Sequence, residues 1–341
     1  MSETTAHSRK GVLLVNLGTP KSPAFKDVWR YLIEFLTDPR VIDFPWLKRQ
    51  LLVRGLIVPL RIRNTMASYK EIWTKQGSPL AIYTENTKKL LQKRLGSDYI
   101  VESAMRYPSA SCENALDSLL KQPLSELLIL PLFPQYASAT TGSVFDHITA
   151  LLKTRQTIPT VRFLSCFHDH PGLIDAFHAQ AAPFPLNNYD KVLFSFHGLP
   201  VRQLIKADRM NRCGEKDCCS KAQPNPDLCY AAQCHSTGHA LAKKLSLPQD
   251  CYEITFQSRL GKEPWLTPFT VDRIQALAKG GAKRLLIFCP AFVADCLETL
   301  YEIQIEYNEL FQKAGGEKID LVPSLNDSPK WIDLLEELVK N

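Results

Sequence analysis

Three places in this chain bring together side chains able to do chemistry. The first is Val192-Leu193-Phe194-Ser195-Phe196-His197-Gly198-Leu199-Pro200, an apolar strand ending in a histidine with glycine and proline close behind. That order puts an imidazole at a strand C-terminus, the edge where open α/β sheets build their sites. With a pKa near neutrality it can take protons or ligate a metal; a histidine satisfied in the core is the competing reading. The second place is Pro290 to Tyr307, a strand running into a helix with Glu298, Glu302 and Glu306 at i, i+4 and i+8. The spacing aligns three carboxylates on one face, where like charges cost a few tenths of a kcal/mol per pair. Such a row is either a solvated acidic face or a line of oxygen ligands and proton acceptors, its repulsion offset by a cation or by departing protons.

The third place is cysteine-rich. Of ten cysteines, Cys213, Cys218, Cys219, Cys229 and Cys234 fall within 22 residues, while the rest are scattered, mostly through apolar runs that suit a small buried thiol. A disulfide framework is not the natural reading of a chain with no export signal. The spacing of the first four is C-x4-C-C-x9-C, with Gly, Asp, Asn and Pro supplying turns. Four thiolates can hold an iron–sulfur cluster or structural zinc, and the spacing departs from the paired CxxC of a zinc ribbon.

These groups need a scaffold. Short apolar runs recur at Gly11–Leu17, Ile100–Met105, Leu127–Phe133 and Val161–Cys166, then at Val192–Phe196, Tyr252–Phe256, Arg284–Phe292 and Ile319–Val322. Each is too short for a helix and apolar on both faces, as a doubly covered parallel strand is. Helical stretches alternate with them: Asn86–Arg94, Glu113–Lys121, Ala231–Leu245, Val271–Lys279, Cys296–Lys313 and Trp331–Lys340. The expectation is an α/β protein of two Rossmann-like domains, each with a parallel four-stranded sheet, facing a central cleft. The polar stretch Ala181–Asp190 serves as linker, giving domains 1–182 and 190–341 with the C-terminal helix able to pack back on the first. No phosphate fingerprint follows the first strand, because Asn16-Leu17-Gly18-Thr19-Pro20 is neither GxGxxG nor a Walker loop. Trp46 to Trp73 mixes Leu, Val and Ile with Lys48, Arg49, Arg54, Arg61 and Arg63. It reads either as a packed helix with snorkelling cations or as an apolar, basic-rimmed lip, spanning about 45–73, for an anionic ligand or membrane surface.

Composition sets the outer bounds. At 341 residues, 45% apolar and 22% charged, the chain is ordinary globular material, not disordered, collagenous or coiled coil. Its net charge of +6 is too small for a dedicated nucleic-acid binder. No run reaches the ~18–20 apolar residues that span a bilayer, and Met1 to Lys10 lacks a signal-peptide core, so a cytoplasmic protein is expected.

Motifs spread along the chain resemble ferrochelatase, the terminal enzyme of haem synthesis. They are Asn16-Leu17-Gly18-Thr19-Pro20, Gly77-Ser78-Pro79-Leu80, Met105-Arg106-Tyr107, Pro131-Leu132-Phe133-Pro134-Gln135-Tyr136 with Thr140-Thr141-Gly142-Ser143, Ser195-Phe196-His197-Gly198-Leu199-Pro200, Phe256-Gln257-Ser258-Arg259 with Pro264-Trp265-Leu266, and Asp295-Cys296-Leu297-Glu298-Thr299-Leu300. The resemblance implies insertion of Fe²⁺ into protoporphyrin IX, with His197 and Glu298 as the catalytic pair and contacts to the substrate iron. Glu302 and Glu306 would carry protons away or conduct metal in. Leu17, Arg106, Tyr107 and Trp265 would bind the substrate, Arg106 steadying a propionate and Leu17 and Trp265 walling the macrocycle. The porphyrin would be held bent, exposing its nitrogen lone pairs.

Some bacterial members carry an internal cysteine-rich insertion, which implies a 2Fe–2S cluster on Cys213, Cys218, Cys219 and Cys229. Structural zinc is the alternative, and Cys234, His235 and His239 are substitute ligands. A monomer or homodimer is expected, with the 45–73 lip as the place for peripheral contact with the inner face of a membrane and with no nucleic-acid partner. Coproporphyrin as substrate, a cobalt chelatase of the same fold, and a non-catalytic haem or iron–sulfur sensor are the other readings. His168 and His170, at a loop entering a helix, read as capping or solvent residues.

Overall fold

A computed structural model describes residues 8–209, 211, 213–214, 218–219, 228–261 and 263–341. Much of the cysteine-rich stretch, namely Arg212, 215–217 and 220–227, therefore lies outside the described residues. The chain divides into two compact units, the first made of Met1–Leu132, Ala139–Ser165 and Ile332–Asn341, the second of Phe133–Ser138 and Cys166–Trp331. The division corrects the expected boundary at 182–190. The helix Pro171–Ala181 belongs to the second unit, so the polar linker lies inside that unit.

The first unit holds β1 (Arg9–Gly18), β2 (Tyr99–Tyr107), β3 (Leu124–Pro131) and β4 (Thr160–Phe163), all parallel, in the order β2-β1-β3-β4. The second holds β5 (Lys191–His197), β6 (Tyr252–Gln257), β7 (Arg284–Phe288) and β8 (Lys318–Leu321), parallel in the order β6-β5-β7-β8. The two orders are the same pattern, so the likeness of layout between the halves extends to topology. Val12 to Val15 and Val192 to Phe194 are at most 2% exposed, as strands covered on both faces must be. β7 stops four residues short of the apolar run that marks it, because Pro290 has no N–H to offer a ladder.

The expected helix Cys296–Lys313 is two elements. Leu297–Tyr307 is a π-helix and only Asn308–Lys313 is α-helical. Hydrophobic spacing cannot separate the two, since both bring residues four apart onto neighbouring turns. Thr299 and Ile303 at 0% exposure and Tyr307 at 6% form the buried seam, with Ile303, Tyr307 and Phe311 packed against Leu193, Leu285 and Ile287. Glu298, Glu302 and Glu306 each precede a seam residue by one position and so run along its edge.

In the first unit, Trp46–Leu52, a π turn at Val53–Ile57 and Val58–Ile72 form one helical stretch. Val53 and Val58 bury one side against Ile33, Leu36 and Ile42. Trp46, Leu47, Leu51, Leu56 and Leu60 are 52–71% exposed on the rest of the segment. Lys48, Arg54, Arg61 and Arg63 are exposed beside them. Arg49 departs from the expected basic rim: it is buried and donates to the Phe44 carbonyl at 2.6 Å. Among the described residues no helix is long and apolar enough to cross a membrane.

Candidate active site

His197 is the last residue of β5 and lies opposite Gln257 of β6. Its Nδ1 stands 2.6 Å from the Gly198 carbonyl oxygen. A carbonyl can only accept, so Nδ1 is a protonated nitrogen, and in the neutral ring Nε2 then holds the lone pair that a base or metal ligand needs. Two contacts fix the backbone beneath the ring. Tyr230 Oη donates to the His197 carbonyl at 2.7 Å, and Gly198 N–H donates to the Gln257 carbonyl at 2.8 Å. The glycine is required there, because a Cβ at 198 would stand 2.8 Å from that carbonyl and 3.3 Å from Trp265 Cε3. Beyond it, Leu199 to Val201 are clamped by Leu266 N–H to the Leu199 carbonyl at 3.0 Å and Val201 N–H to the Pro264 carbonyl at 3.0 Å.

Gln257, 2% exposed, joins the histidine strand to the acidic helix. Its Nε2 donates to the Glu298 carbonyl at 3.0 Å and to Glu302 Oε2 at 3.1 Å, while its Oε1 accepts from Ser195 Oγ at 2.8 Å. Glu302 also accepts from Ser258 N–H at 2.8 Å, from Ser258 Oγ and from Tyr307 Oη at 2.8 Å. With four donors pointed at it, Glu302 is held in one place. Of the expected row of proton or metal carriers, Glu302 is thus the one whose side chain is held by four donors, in sequence between Glu298 and Glu306. Glu306 reaches solvent, and its carboxyl is raised above the usual range, first by its low-dielectric surroundings and then by the charges of Glu302 and Glu309. Cys296, buried, caps the π-helix and its thiol bonds Glu298. Burial, ahead of the Glu298 charge, pushes that thiol well up, so it stays protonated as a donor.

In the first unit the motif residues gather at the C-terminal ends of β1 and β2. Gly18, at φ +126°, lies so close to the Tyr107 carbonyl that a Cβ would overlap it at 1.8 Å. Leu17 is half-buried, and Thr19 Oγ1 donates to Ser78 Oγ at 2.9 Å. A cavity of about 340 Å³ opens here, lined by Thr19, Lys21, Trp73, Ser78, Met105 and Ser111 among others. One ammonium and three hydroxyls suit an anionic group.

Three expected substrate contacts need correction. Tyr107 is 1% exposed, its hydroxyl spent on Asp38 at 2.7 Å, so it presents no face to a ligand. Arg106 donates to Asp38 at 2.7 Å and to Ser143 Oγ at 2.9 Å and stacks on the Tyr107 ring, which neutralises the charge a propionate would have met. Burial alone would raise the Asp38 carboxyl, but the Arg40 N–H, the Ser143 and Tyr107 hydroxyls and Arg106 together hold it below its usual range. Trp265 is 9% exposed and packs against the Gly198 turn, so little of its indole is open to a macrocycle.

A family model described as Ferrochelatase matches residues 9–341. The chain belongs to the ferrochelatase family. Relatives named Ferrochelatase from Opitutus terrae and Coxiella burnetii are 43% and 39% identical to it, over 97% and 98% of this chain and 97% and 94% of theirs. Among solved structures, SirB from Bacillus subtilis with Fe³⁺ superposes with a TM-score of 0.55 at 10% identity, covering 97% of this chain and 94% of that one. That likeness is one of fold, two four-stranded parallel units on the chelatase plan. The protein is accordingly a metal chelatase of haem biosynthesis.

The cysteine site of this ferrochelatase is partly visible. Cys213, Cys218, Cys219 and Cys229 are all free thiols, and Cys218 and Cys219 sulfurs stand 3.7 Å apart. Burial, followed by the neighbouring thiols, pushes Cys219 up to about 12, and Cys213 is raised by burial and then by Cys218 and Cys229. The four are thus within electrostatic reach of one another, and the donor set suits a group held by thiolates. Among the described residues no three His, Cys, Asp or Glu side chains close on one metal-ion position. Of the remaining histidines, His170 caps the helix Pro171–Ala181, its Nδ1 accepting from Gly172 N–H at 3.1 Å.

The sequence reading had no role for Gln257, Ser258, Tyr230 or Tyr307. The first two stood within a quoted motif and could have been marked as polar residues ending an apolar strand. The tyrosines carried no signal, since their hydroxyls act across elements far apart in sequence.

Proposed function

We propose that this ferrochelatase inserts Fe²⁺ into protoporphyrin IX, releasing two protons and forming protohaem. The observation that carries the reading is His197 at the end of β5, its Nδ1 proton committed to the Gly198 carbonyl and its Nε2 free. Each pyrrole N–H must lose a proton as the metal enters, and a neutral imidazole with one free nitrogen is a fitting acceptor. Glu298, its carbonyl held by Gln257 and its side chain bonded by Cys296, is the next acceptor in this reading. Glu302 supplies a fixed negative charge, and Glu306, raised and solvent-reaching, passes the proton on to water. The test is anaerobic metal insertion by the purified chain, followed by porphyrin absorption, with Fe²⁺ and then with Co²⁺, and with protoporphyrin against coproporphyrin and sirohydrochlorin. Preference for Fe²⁺ and protoporphyrin supports the reading; turnover of sirohydrochlorin alone overturns it.

Cys213, Cys218, Cys219 and Cys229 would hold a 2Fe–2S cluster, with structural zinc as the alternative. Such a group would cross-link the segment, since metal insertion transfers no electrons. Iron, zinc and acid-labile sulfide analysis of anaerobically purified protein decides between them. The exposed face of Trp46 to Arg63, with its four exposed cations, suits the inner, anionic surface of a membrane and a cytoplasmic chelatase docked there, as a monomer or homodimer.

A further inference from the structure

The cysteine site and the catalytic histidine share a neighbour. The helix Tyr230–Lys244 begins directly after Cys229, which is its N-cap. Cys229 is thus joined to Tyr230 by a single peptide at the start of that helix. The next residue, Tyr230, is 7% exposed, and its hydroxyl donates to the His197 carbonyl at 2.7 Å. One turn on, the buried Cys234 thiol also bonds that hydroxyl and lies within the field of Cys229 and Cys219. The His197 carbonyl belongs to the peptide joining His197 to Gly198, and the Gly198 carbonyl receives the His197 Nδ1 proton. Moving Tyr230 therefore moves the peptide that leads, through Gly198 Cα, into the one whose carbonyl orients the imidazole. A displacement of a few tenths of an ångström at a catalytic base is enough to lower a rate.

We propose that Tyr230 is a positioning residue for His197 and that it takes its own place from Cys229, so that the occupancy of the cysteine site sets the orientation of the catalytic imidazole. The inference rests on the reading of His197 as the proton acceptor and of Cys213, Cys218, Cys219 and Cys229 as a ligand set. It makes the cysteine site a control on the active site, without any electron passing to substrate. Tyr230 touches neither porphyrin nor iron; it acts through the backbone of His197.

The test uses the full chain purified anaerobically. Tyr230→Phe keeps the ring and removes only the hydroxyl. The expected result is a kcat about tenfold lower with the porphyrin KM within twofold of wild type and unchanged iron and sulfide content. In protein labelled with [¹⁵N]histidine, the His197 imidazole signals, assigned with His197→Asn, should shift. Emptying the cysteine site, by Cys219→Ser or by chelator treatment of the wild type should that variant fail to fold, should move the same signals. In the Tyr230→Phe background it should then lower kcat no further. An unchanged kcat and unmoved His197 signals in Tyr230→Phe overturn the positioning role. Multiplicative losses in the combined variant overturn the link to the cysteines. If the wild type metallates no porphyrin, the chelatase reading falls by itself, and the ¹⁵N signals still decide the role of Tyr230.

Discussion

Replacing Gln257 by leucine tests whether one buried amide ties the histidine strand to the acidic helix. The substitution keeps the volume and removes both donor contacts and two acceptor contacts, those from Ser195 Oγ and from Cys289 Sγ. Glu302 keeps its bonds from Ser258 and Tyr307, and Ser195 Oγ keeps Thr270 Oγ1 at 2.8 Å, so neither is stranded. The Glu298 carbonyl loses its side-chain donor. A hydrogen bond to a charged acceptor contributes about 1.5–3 kcal/mol and a neutral one about 1 kcal/mol, offset in part by the leucine's apolar burial. The expected net cost is about 3 kcal/mol, which in a unit of this size lowers Tm by about 6–12 °C. Gln257→Glu should cost more at neutral pH, since it places a second carboxyl beside Glu302 where two charges repel or one must be neutralised. Thermal unfolding followed by circular dichroism reads the stability. Steady-state iron insertion reads the function, and kcat should fall at least tenfold while porphyrin binding, followed by fluorescence, persists. A Gln257→Leu protein that melts within 2 °C of wild type at undiminished kcat, with Gln257→Glu no worse, would refute the reasoning.

Other outcomes follow from the same contacts. His197→Ala should abolish insertion yet bind porphyrin, and Glu298→Gln should reduce kcat far more than Glu306→Gln; equal losses in a turnover assay would argue for a diffuse acidic path. Asp38→Asn leaves the Arg106 guanidinium buried beside a neutral amide and should cost about 3–5 kcal/mol by denaturant unfolding. Because the folded pKa of Asp38 is depressed, its contribution is present above the unfolded carboxylate value near 4 and fades as pH falls through the folded value. His235 shows the acid side differently. Burial, then His239, lowers it to about 4 from an ordinary 6.5, so the folded chain prefers the neutral ring and stability falls between about pH 6.5 and 4, by up to about 3 kcal/mol. His235→Gln should flatten that slope, and an unchanged pH profile of Tm would remove His235 as its source. Finally, changing Trp46, Leu51 and Leu60 to serine should weaken binding to vesicles containing anionic lipid without lowering kcat in detergent; undiminished sedimentation with vesicles would exclude the segment as the docking face.

Much of the fold was legible because burial leaves a local mark. Val192-Leu193-Phe194 had to be covered on both faces, and each apolar run of that kind became a strand of a parallel sheet. The same logic failed at element ends, where the deciding contact is distant. Pro290 cut β7 short, and the helix after it opened into a π-helix whose wider turns a 3.6-residue pattern does not distinguish. Domain limits were misread because Phe133–Ser138 and Pro171–Ala181 join the second unit through contacts such as Gln135 Nε2 to Thr237 Oγ1 at 3.0 Å, which composition does not register.

By itself the sequence determined the family and the eight strands, since residue type, order and short-range spacing suffice for each. Only the tertiary structure decided that Arg106 is already paired with Asp38, that Tyr107 and Trp265 are buried supports, that Glu302 is fixed by four donors, and that Gln257 and Tyr230 hold the catalytic backbone. Nearly all of those rest on hydrogen bonds or ring contacts between residues dozens of positions apart. A polar side chain carries no local record of the partner that will satisfy it once both are removed from water.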